Sequence, residues 1–352
     1  MRKHVSFKIK KTVPVIFFFA CYMQQVFGQM HTDSLFSVQT PLDIGISISI
    51  RGVQESKEDS IYISHKLYYK NASGINDSLK VGLKGRGNFR LRECYFPPLW
   101  IKIKKDQAKE TLFEGNKKLK LVLPCYTQSD NNDLILKEYL CYKLYEEISP
   151  YSFKTRLVNI DLTEQRGKRE KKFQLKGILI EDVDKIAKRM NCKTAEVEQI
   201  HPAALQDTSA SLFDMFQFMI SNTDWSKSFQ HNSKLIYLHS RYIPVPYDFD
   251  MSGLVDAPYA VVSVIGEETL PVESVRDRYY RGYCRPPGIT QFVRNEFLLK
   301  EENLLSIPDL LKGQLSDKEI TGVKEYLKEF FDILKNDDLF KDDILDRCRN
   351  IN

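Results

Sequence analysis

The seven cysteines of this sequence show no CxxC pair and no other metal-ligand spacing, so a zinc site is not expected. There is no long block of one charge sign either. The 52 Lys and Arg mix with 47 Asp and Glu, and the net charge of +5 is too mild to argue for a nucleic-acid partner. No apolar run reaches the roughly 20 residues that a membrane helix needs. The run at residues 13–23 stops at Gln24 and Gln25, so no stable span is expected in the mature chain.

What is present suffices for a sizeable core. The chain has 352 residues, 42% hydrophobic and 12% aromatic, which suits one large domain or two ordinary ones. Residues 1–28 stand apart: Arg2, Lys3, His4, Lys8, Lys10 and Lys11 precede the apolar run, and Gly28 offers a small residue before Gln29. That is the plan of a secretory signal peptide, and it places the mature protein in the periplasm, at the cell surface or outside the cell. Cys21, behind Phe18, Phe19 and Ala20, gives a weaker alternative, a lipoprotein anchor. Loss of residues 1–28 leaves Cys94, Cys125, Cys141, Cys192, Cys284 and Cys348, an even number compatible with pairing in an oxidising compartment. A core of this size does not need staples, so one or two bridges are expected rather than full pairing.

Periodicity organises the rest. Ile44, Ile46, Ile48 and Ile50 alternate with polar or small residues, the mark of a half-buried strand, and residues 61–69 repeat the habit. A strand-like LKVGL leads into Gly85, Arg86 and Gly87. Glycines there let backbone N–H groups approach a phosphate, with Arg86 adding charge; the competing reading is a turn that needs positive φ. PPLWIKIKK is a further alternating strand, and Lys102 or Lys104 on its polar face is either a clamp for nucleotide phosphates or an ordinary surface lysine. Residues 129–133 are rich in helix-capping types, and Leu136, Leu140 and Leu144 follow at helical spacing. Glu138 on that helix is either an acid that pairs with a strand lysine or a surface glutamate. Residues 156–162 and 173–182 read as a hairpin, and Phe213, Phe216 and Ile220 mark a buried helix. Arg276, Arg278, Arg281 and Arg285, interleaved with tyrosines, suit a substrate phosphate or an acidic peptide, or else pack on the tyrosine faces. Ser316 and Glu319 form a capping box ahead of a C-terminal helical stripe.

Most of the chemistry is concentrated in residues 221–255. The buried helix ends at Ser221, Asn222, Thr223 and Asp224; Asn232 precedes a strand at residues 234–238, and Asp248 and Asp250 follow a second one at 242–245. Ends of elements are where a scaffold presents side chains to a ligand. One Asp, one Asn and a later Asp-x-Asp are what a magnesium-nucleotide site requires: hard oxygen ligands for the ion, and a separate carboxylate for the proton of the attacking hydroxyl. Calcium would want more oxygen ligands than DFDMSG supplies, whereas Asp224 with Asp248 also has the composition of a glycosidase pair.

Asn222-x-Asp224, then His231-Asn232, then IPVPYDFDMSG resembles the kinase core of the spore-coat-protein-H (CotH) family of atypical secreted protein kinases. LKGRGNFRLRECYFPPLWIKIKK, LVLPCYTQSDNNDLILKEYLCYKLYEEI and LKGILIEDVD are similar to that family's upstream segments, in family order. The resemblance implies an α+β, two-lobed atypical protein-kinase-like fold, with a β-rich N-terminal lobe at residues 29–184 and a mainly helical C-terminal lobe at 185–352. It further implies transfer of the γ-phosphate of ATP to a hydroxyl, which in the family belongs to serine-rich secreted protein. Asp224 would be the catalytic base; Asn232, Asp248 and Asp250 would hold magnesium; Arg86, Gly87, Lys102, Lys104 and Glu138 would serve ATP. The sequence departs from the family at Lys137-Glu138, where Arg-Asn is usual, and in a longer interval from Asp224 to Asn232, so residues 227–230 are expected to loop out. The alternative is an exported binding or surface-assembly protein without catalysis, and nucleotidyl transfer is not separable from phosphoryl transfer.

Overall fold

Seven strands close on one another. The structure, a computed structural model, describes residues 33–56, 61–71, 73–265 and 268–351. The export signal expected at 1–28 lies outside the described residues. Strands β1 (Leu42–Ile48), β2 (Ile63–Lys70), β3 (Asn76–Gly85), β4 (Leu99–Ile103), β5 (Lys118–Val122), β6 (Thr155–Arg166) and β7 (Arg169–Ile180) form a closed barrel in the order β1-β2-β3-β4-β5-β7-β6. Every pairing is antiparallel except the seam, where β1 runs parallel to β6 with Ile44 opposite Ile160. One face of each strand points inward, and Ile44, Ile46, Leu67, Leu83, Ile101, Leu121, Ile160 and Leu179 fill the interior. Short helices α1 (Ser34–Ser37), α2 (Ile50–Glu55), α3 (Phe89–Glu93) and α4 (Lys105–Ala108) lie in the connections; Ile50, which continues the alternation of β1 in sequence, opens α2 instead.

Helix α5 (Asn131–Ile148) is buried on nearly all sides, as its apolar content around the circumference dictates. It packs on β7, whose outward Ile178 and Ile180 are buried as fully as its inward Leu179. After the barrel come α6 (Val183–Arg189), β8 (Lys193–Thr194), α7 (Asp207–Met219), β9 (Ser233–Leu238), β10 (Arg241–Pro246), the small ribbon β11 (Val264–Ile265) with β12 (Glu268–Thr269), then α8 (Pro287–Leu299), α9 (Glu301–Ser306), α10 (Asp317–Lys335) and α11 (Asp337–Phe340). Strands β8–β10 form a sheet of order β10-β9-β8. The second core joins α5, α7, α8 and α10 to the outer face of β5, β6 and β7 through Val122, Leu157, Ile178 and Ile180.

This arrangement corrects the two-lobed kinase-like expectation. The strands do not make an open sheet set apart from a helical lobe; they close into a seven-stranded barrel, and from Asp33 onward the chain is one compact unit. The physical cause lies at the seam. Parallel pairing of β1 with β6 satisfies the two edges that an open sheet would leave unpaired, and the shared core around α5 removes any gap between barrel and helices.

Two disulfides, Cys94–Cys125 and Cys284–Cys348, staple α3 to the segment after β5 and residue 284 to the C-terminal segment; Cys141 and Cys192 are free. Among the described residues, no helix is long and apolar enough to cross a membrane.

Candidate functional site

Asp224 is set by its neighbours in sequence. Helix α7 ends at Met219, Ser221 turns the chain at φ 49°, and Trp225 anchors the loop by donating Nε1–H to the Asn222 carbonyl at 2.9 Å. The Asp224 N–H goes to Asn222 Oδ1 at 3.0 Å. Asp224 Oδ1 meets His231 Nε2 at 2.7 Å, and Asn232 Nδ2 donates to Asp224 Oδ2 at 2.9 Å and to its carbonyl at 2.8 Å. The pairing with Asp224 raises the pKa of His231. Asn232 thus commits its amide nitrogen to Asp224, which leaves Oδ1 as the end available to a cation.

The longer interval between Asp224 and Asn232 is absorbed by a pinch. Ser226 and His231 exchange backbone hydrogen bonds of 2.9 and 3.0 Å, so residues 227–230 form the tip of a small loop. The tip does not simply loop out, because Lys227 turns inward. Its Nζ meets Asp214 of α7 at 2.5 Å, both side chains are fully buried, and burial lowers the lysine pKa to about 8.

Asp248 and Asp250 flank a buried anchor. Phe249 packs between Tyr142 and Phe216, with ring centroids 4.7 and 5.4 Å away, and one aspartate precedes it and one follows it in the chain. Asp248 adopts φ 66° and donates its N–H to Tyr142 Oη at 3.0 Å. Its Oδ2 lies 4.0 Å from Arg86 Nη2, while Asp250 Oδ2 lies 3.7 Å from Arg90 Nε. Arg90 also stands 3.8 Å from Glu138 and donates to the Leu123 carbonyl. Burial opposes the charge on Arg90, but Tyr259, Asp250, Glu138 and Asp248 together hold its pKa above the ordinary value. Glu138 and Asp250 are both pushed up, by burial first and then by neighbouring carboxylates, against the pull of Arg90. Burial and the mutual repulsion of these carboxyls thus disfavour their all being ionised at once.

The basic side is split between β3 and β5. Gly85 lets the backbone pass Val53, whose carbonyl would sit 2.7 Å from an added Cβ, and Gly87 turns at φ +86°. The turn brings Arg86 to Asp248. Lys102 and Lys104 do not reach this place: Lys102 is exposed on the outer face of β4, 5.3 Å from the Tyr62 ring, and exposed Lys104 precedes α4. The lysine that does reach it is Lys120 on β5, in register with Trp100. Lys120 is buried, with its Nζ 3.7 Å from the Tyr247 ring and 4.7 Å from that of Phe153, and among the described residues it has neither a hydrogen bond nor an ion pair. Burial first, then Arg86, takes its pKa well below that of a free lysine, while Asp248 pulls the other way. The sequence does carry a signal for it. Residues 119–123 read Leu-Lys-Leu-Val-Leu, a strand buried on both faces with one lysine inside.

Glu138 is buried, but its partner is Arg90 and not a strand lysine. The arginines downstream act mainly as internal ties: Arg276 to Asp256, Arg278 to Glu329 and Arg285 to Asp207. Arg281 alone comes to the site, bonded to the Thr223 carbonyl and lying 5.1 Å from the Trp225 ring.

The donor types, carboxylates and one amide oxygen, are those that magnesium shares with phosphate. Among the described residues no cluster of His, Cys, Asp and Glu is disposed to cage an ion by itself. Magnesium is ordinarily held by one or two carboxylates, with phosphate oxygens and water completing its shell. Asp250 Oδ2 is buried without a hydrogen-bond donor, its nearest counter-charge being Arg90 Nε at 3.7 Å, so an ion bound there would share this oxygen with the arginine. No protein-family model and no curated protein sequence matches the chain.

Proposed function

We propose that the protein transfers the γ-phosphate of ATP to a hydroxyl, with a protein serine or threonine as acceptor, in the manner of the CotH kinases that its site segments resemble. One observation carries the reading: Asp224, Asn232, Asp248 and Asp250 gather hard oxygen atoms opposite Arg86 and a buried, unpaired Lys120. In this reading Asp224, oriented by His231 and Asn232, takes the proton of the acceptor hydroxyl as its oxygen bonds to phosphorus and the bridging oxygen leaves with ADP. Arg86 and Lys120 oppose the charge of the transferring phosphoryl group. Asp248, Asp250 and Asn232 Oδ1 would hold magnesium, which supplies charge neutralisation at the phosphates. The reading rests on site chemistry and not on the barrel, since fold does not imply function. Two disulfides and the basic-apolar start of the sequence support export.

Calorimetric titration of ATP with and without magnesium tests it. Magnesium-dependent heat in the wild type, lost in a folded Asp248→Ala variant, is the expected result; a folded wild type that gives no heat overturns it. A second reading, an exported binding or assembly protein without catalysis, is favoured by one fact. Each carboxylate of Asp248-Phe249-Asp250 already has an arginine within 4.0 Å.

A further inference from the structure

The outer face of β2–β5 is a band of lysines and aromatic rings. In register, Lys66 lies opposite Lys80, and Lys102 lies between Gly82 and Lys118. One row along, Lys84 faces Trp100, which faces Lys120. Tyr62 lies across Gly82, where an added Cβ would come 2.9 Å from that of the tyrosine, and Lys84 and Lys102 each place Nζ 5.3 Å from its ring. Lys118 sits 3.9 Å from the Trp100 ring and Lys66 5.2 Å from that of Tyr68.

Among the described residues, charge on this face is poorly compensated. Lys118 has Asp182 at 3.7 Å, but among the described residues Lys66, Lys80, Lys84 and Lys102 make no ion pair. Like charges in facing positions of a sheet repel, so Lys66 opposite Lys80 and Lys102 opposite Lys118 burden the isolated protein. An anionic partner relieves both pairs. The barrel is closed, so such a partner binds through side chains and not by adding a strand. The rings carry the protein's own ammonium groups, which leaves them poor platforms for stacking bases or sugars. What the face presents is ammonium groups, whose counterparts are anionic oxygens, and a polypeptide supplies these as carboxylates. At one end, through Trp100, Arg86 and Lys120, the band runs into the site around Asp248.

We propose that the outer face of β2–β5 docks an acidic stretch of the acceptor polypeptide, so that a hydroxyl flanked by carboxylates is the preferred substrate. The proposal rests on the phosphotransfer reading for the acceptor role, and on the band itself for docking. The band selects acidic protein by charge, and Asp224 selects the hydroxyl.

The test uses the full chain and a Glu-rich peptide carrying one serine, with its Gln-substituted counterpart, a sulfated oligosaccharide and an oligonucleotide as comparisons. Binding is measured by fluorescence anisotropy, and magnesium-ATP binding by calorimetry on the same samples. The Glu-rich peptide should bind in preference to its Gln counterpart, and the Lys66→Glu/Lys84→Glu/Lys102→Glu variant should bind it about tenfold more weakly or worse, with unchanged magnesium-ATP binding. Equal affinity of variant and wild type for the peptide overturns the docking face while the nucleotide site stands. Binding of the oligosaccharide or oligonucleotide but not the peptide overturns the choice of polypeptide. Peptide binding with no magnesium-ATP binding overturns the acceptor role together with the phosphotransfer reading.

Discussion

Lys120 shows how little a residue's chemistry is decided by its type. Three lysines, Lys102, Lys104 and Lys120, occur in neighbouring strand-like segments, yet only Lys120 is enclosed by Tyr247, Phe153 and Trp100 and set against Arg86 and Asp248. An enclosed lysine with neither an ion pair nor a hydrogen bond among the described residues is unfavourable in the free protein, and a phosphate would supply a close counter-charge. Lys120→Met should therefore weaken magnesium-ATP binding by about 10- to 100-fold, the value of one charged hydrogen bond, with no loss of thermal stability. Lys102→Met and Lys104→Met should leave the affinity unchanged. Calorimetry and thermal melting of the three variants check this, and a nucleotide affinity that follows Lys102 would sink the assignment. Arg90 gives the complementary case: its role is internal, because Glu138, Asp250 and the Leu123 carbonyl share its guanidinium.

The loop from α7 to β9 positions Asp224 as an element, and its anchor is the Lys227–Asp214 pair, with the rings of Phe213, Trp225 and Tyr283 within 5.7 Å of the ammonium. A buried pair broken on one side leaves an uncompensated charge, whereas apolar replacement of both partners is often neutral. Lys227→Met should lower unfolding stability by about 3–5 kcal/mol, and Lys227→Met combined with Asp214→Leu should recover most of that loss. Urea denaturation measures both; equal losses in the single and double variants would show that the pair is not the anchor. Other elements were readable before any fold was known. The buried stripe of α7, the β6–β7 hairpin and the Ser316 cap of α10, whose Oγ accepts the Glu319 N–H at 3.2 Å, all follow from local periodicity or capping chemistry. The inward turn of Lys227 was not, because the partner that draws it in lies in a different element.

At the scale of the whole molecule, the shared core around α5 holds buried phenols, with the half-buried Tyr247 packed against it. Tyr139, Tyr142, Tyr145, Tyr247 and Tyr280 have their pKa raised by burial, Tyr247 to about 12. An unfolded tyrosine ionises near pH 10, so the folded state retains protons that the unfolded state releases. Their contribution to stability is complete below about pH 10 and is lost as pH rises through the folded values. Lys227 acts in the opposite sense: with its folded pKa lowered to about 8, it adds stability as pH climbs from there toward the ordinary lysine range. Alkaline titration should show these five tyrosines ionising together with loss of far-ultraviolet circular dichroism. Gradual ionisation with the dichroism intact would contradict the buried core described above.

The sequence by itself determined the strands β1 to β4, the β6–β7 hairpin, the helices α5, α7 and α10, that Asp224 follows a helix and Asn232 precedes a strand, and that Asp248 and Asp250 leave the end of a strand. These depend on side-chain period and on residues close in the chain. Only the tertiary structure decided that the strands close into a barrel, that Cys94 pairs with Cys125 and Cys284 with Cys348, that Glu138 pairs with Arg90, and that Lys120 takes the place expected of Lys102 or Lys104. Alternation tells which face of β1 is apolar, but Ile44 opposite Ile160 is a contact between distant parts of the chain. The burial of a charge likewise depends on what packs over it, and that is set by contacts that no local pattern contains.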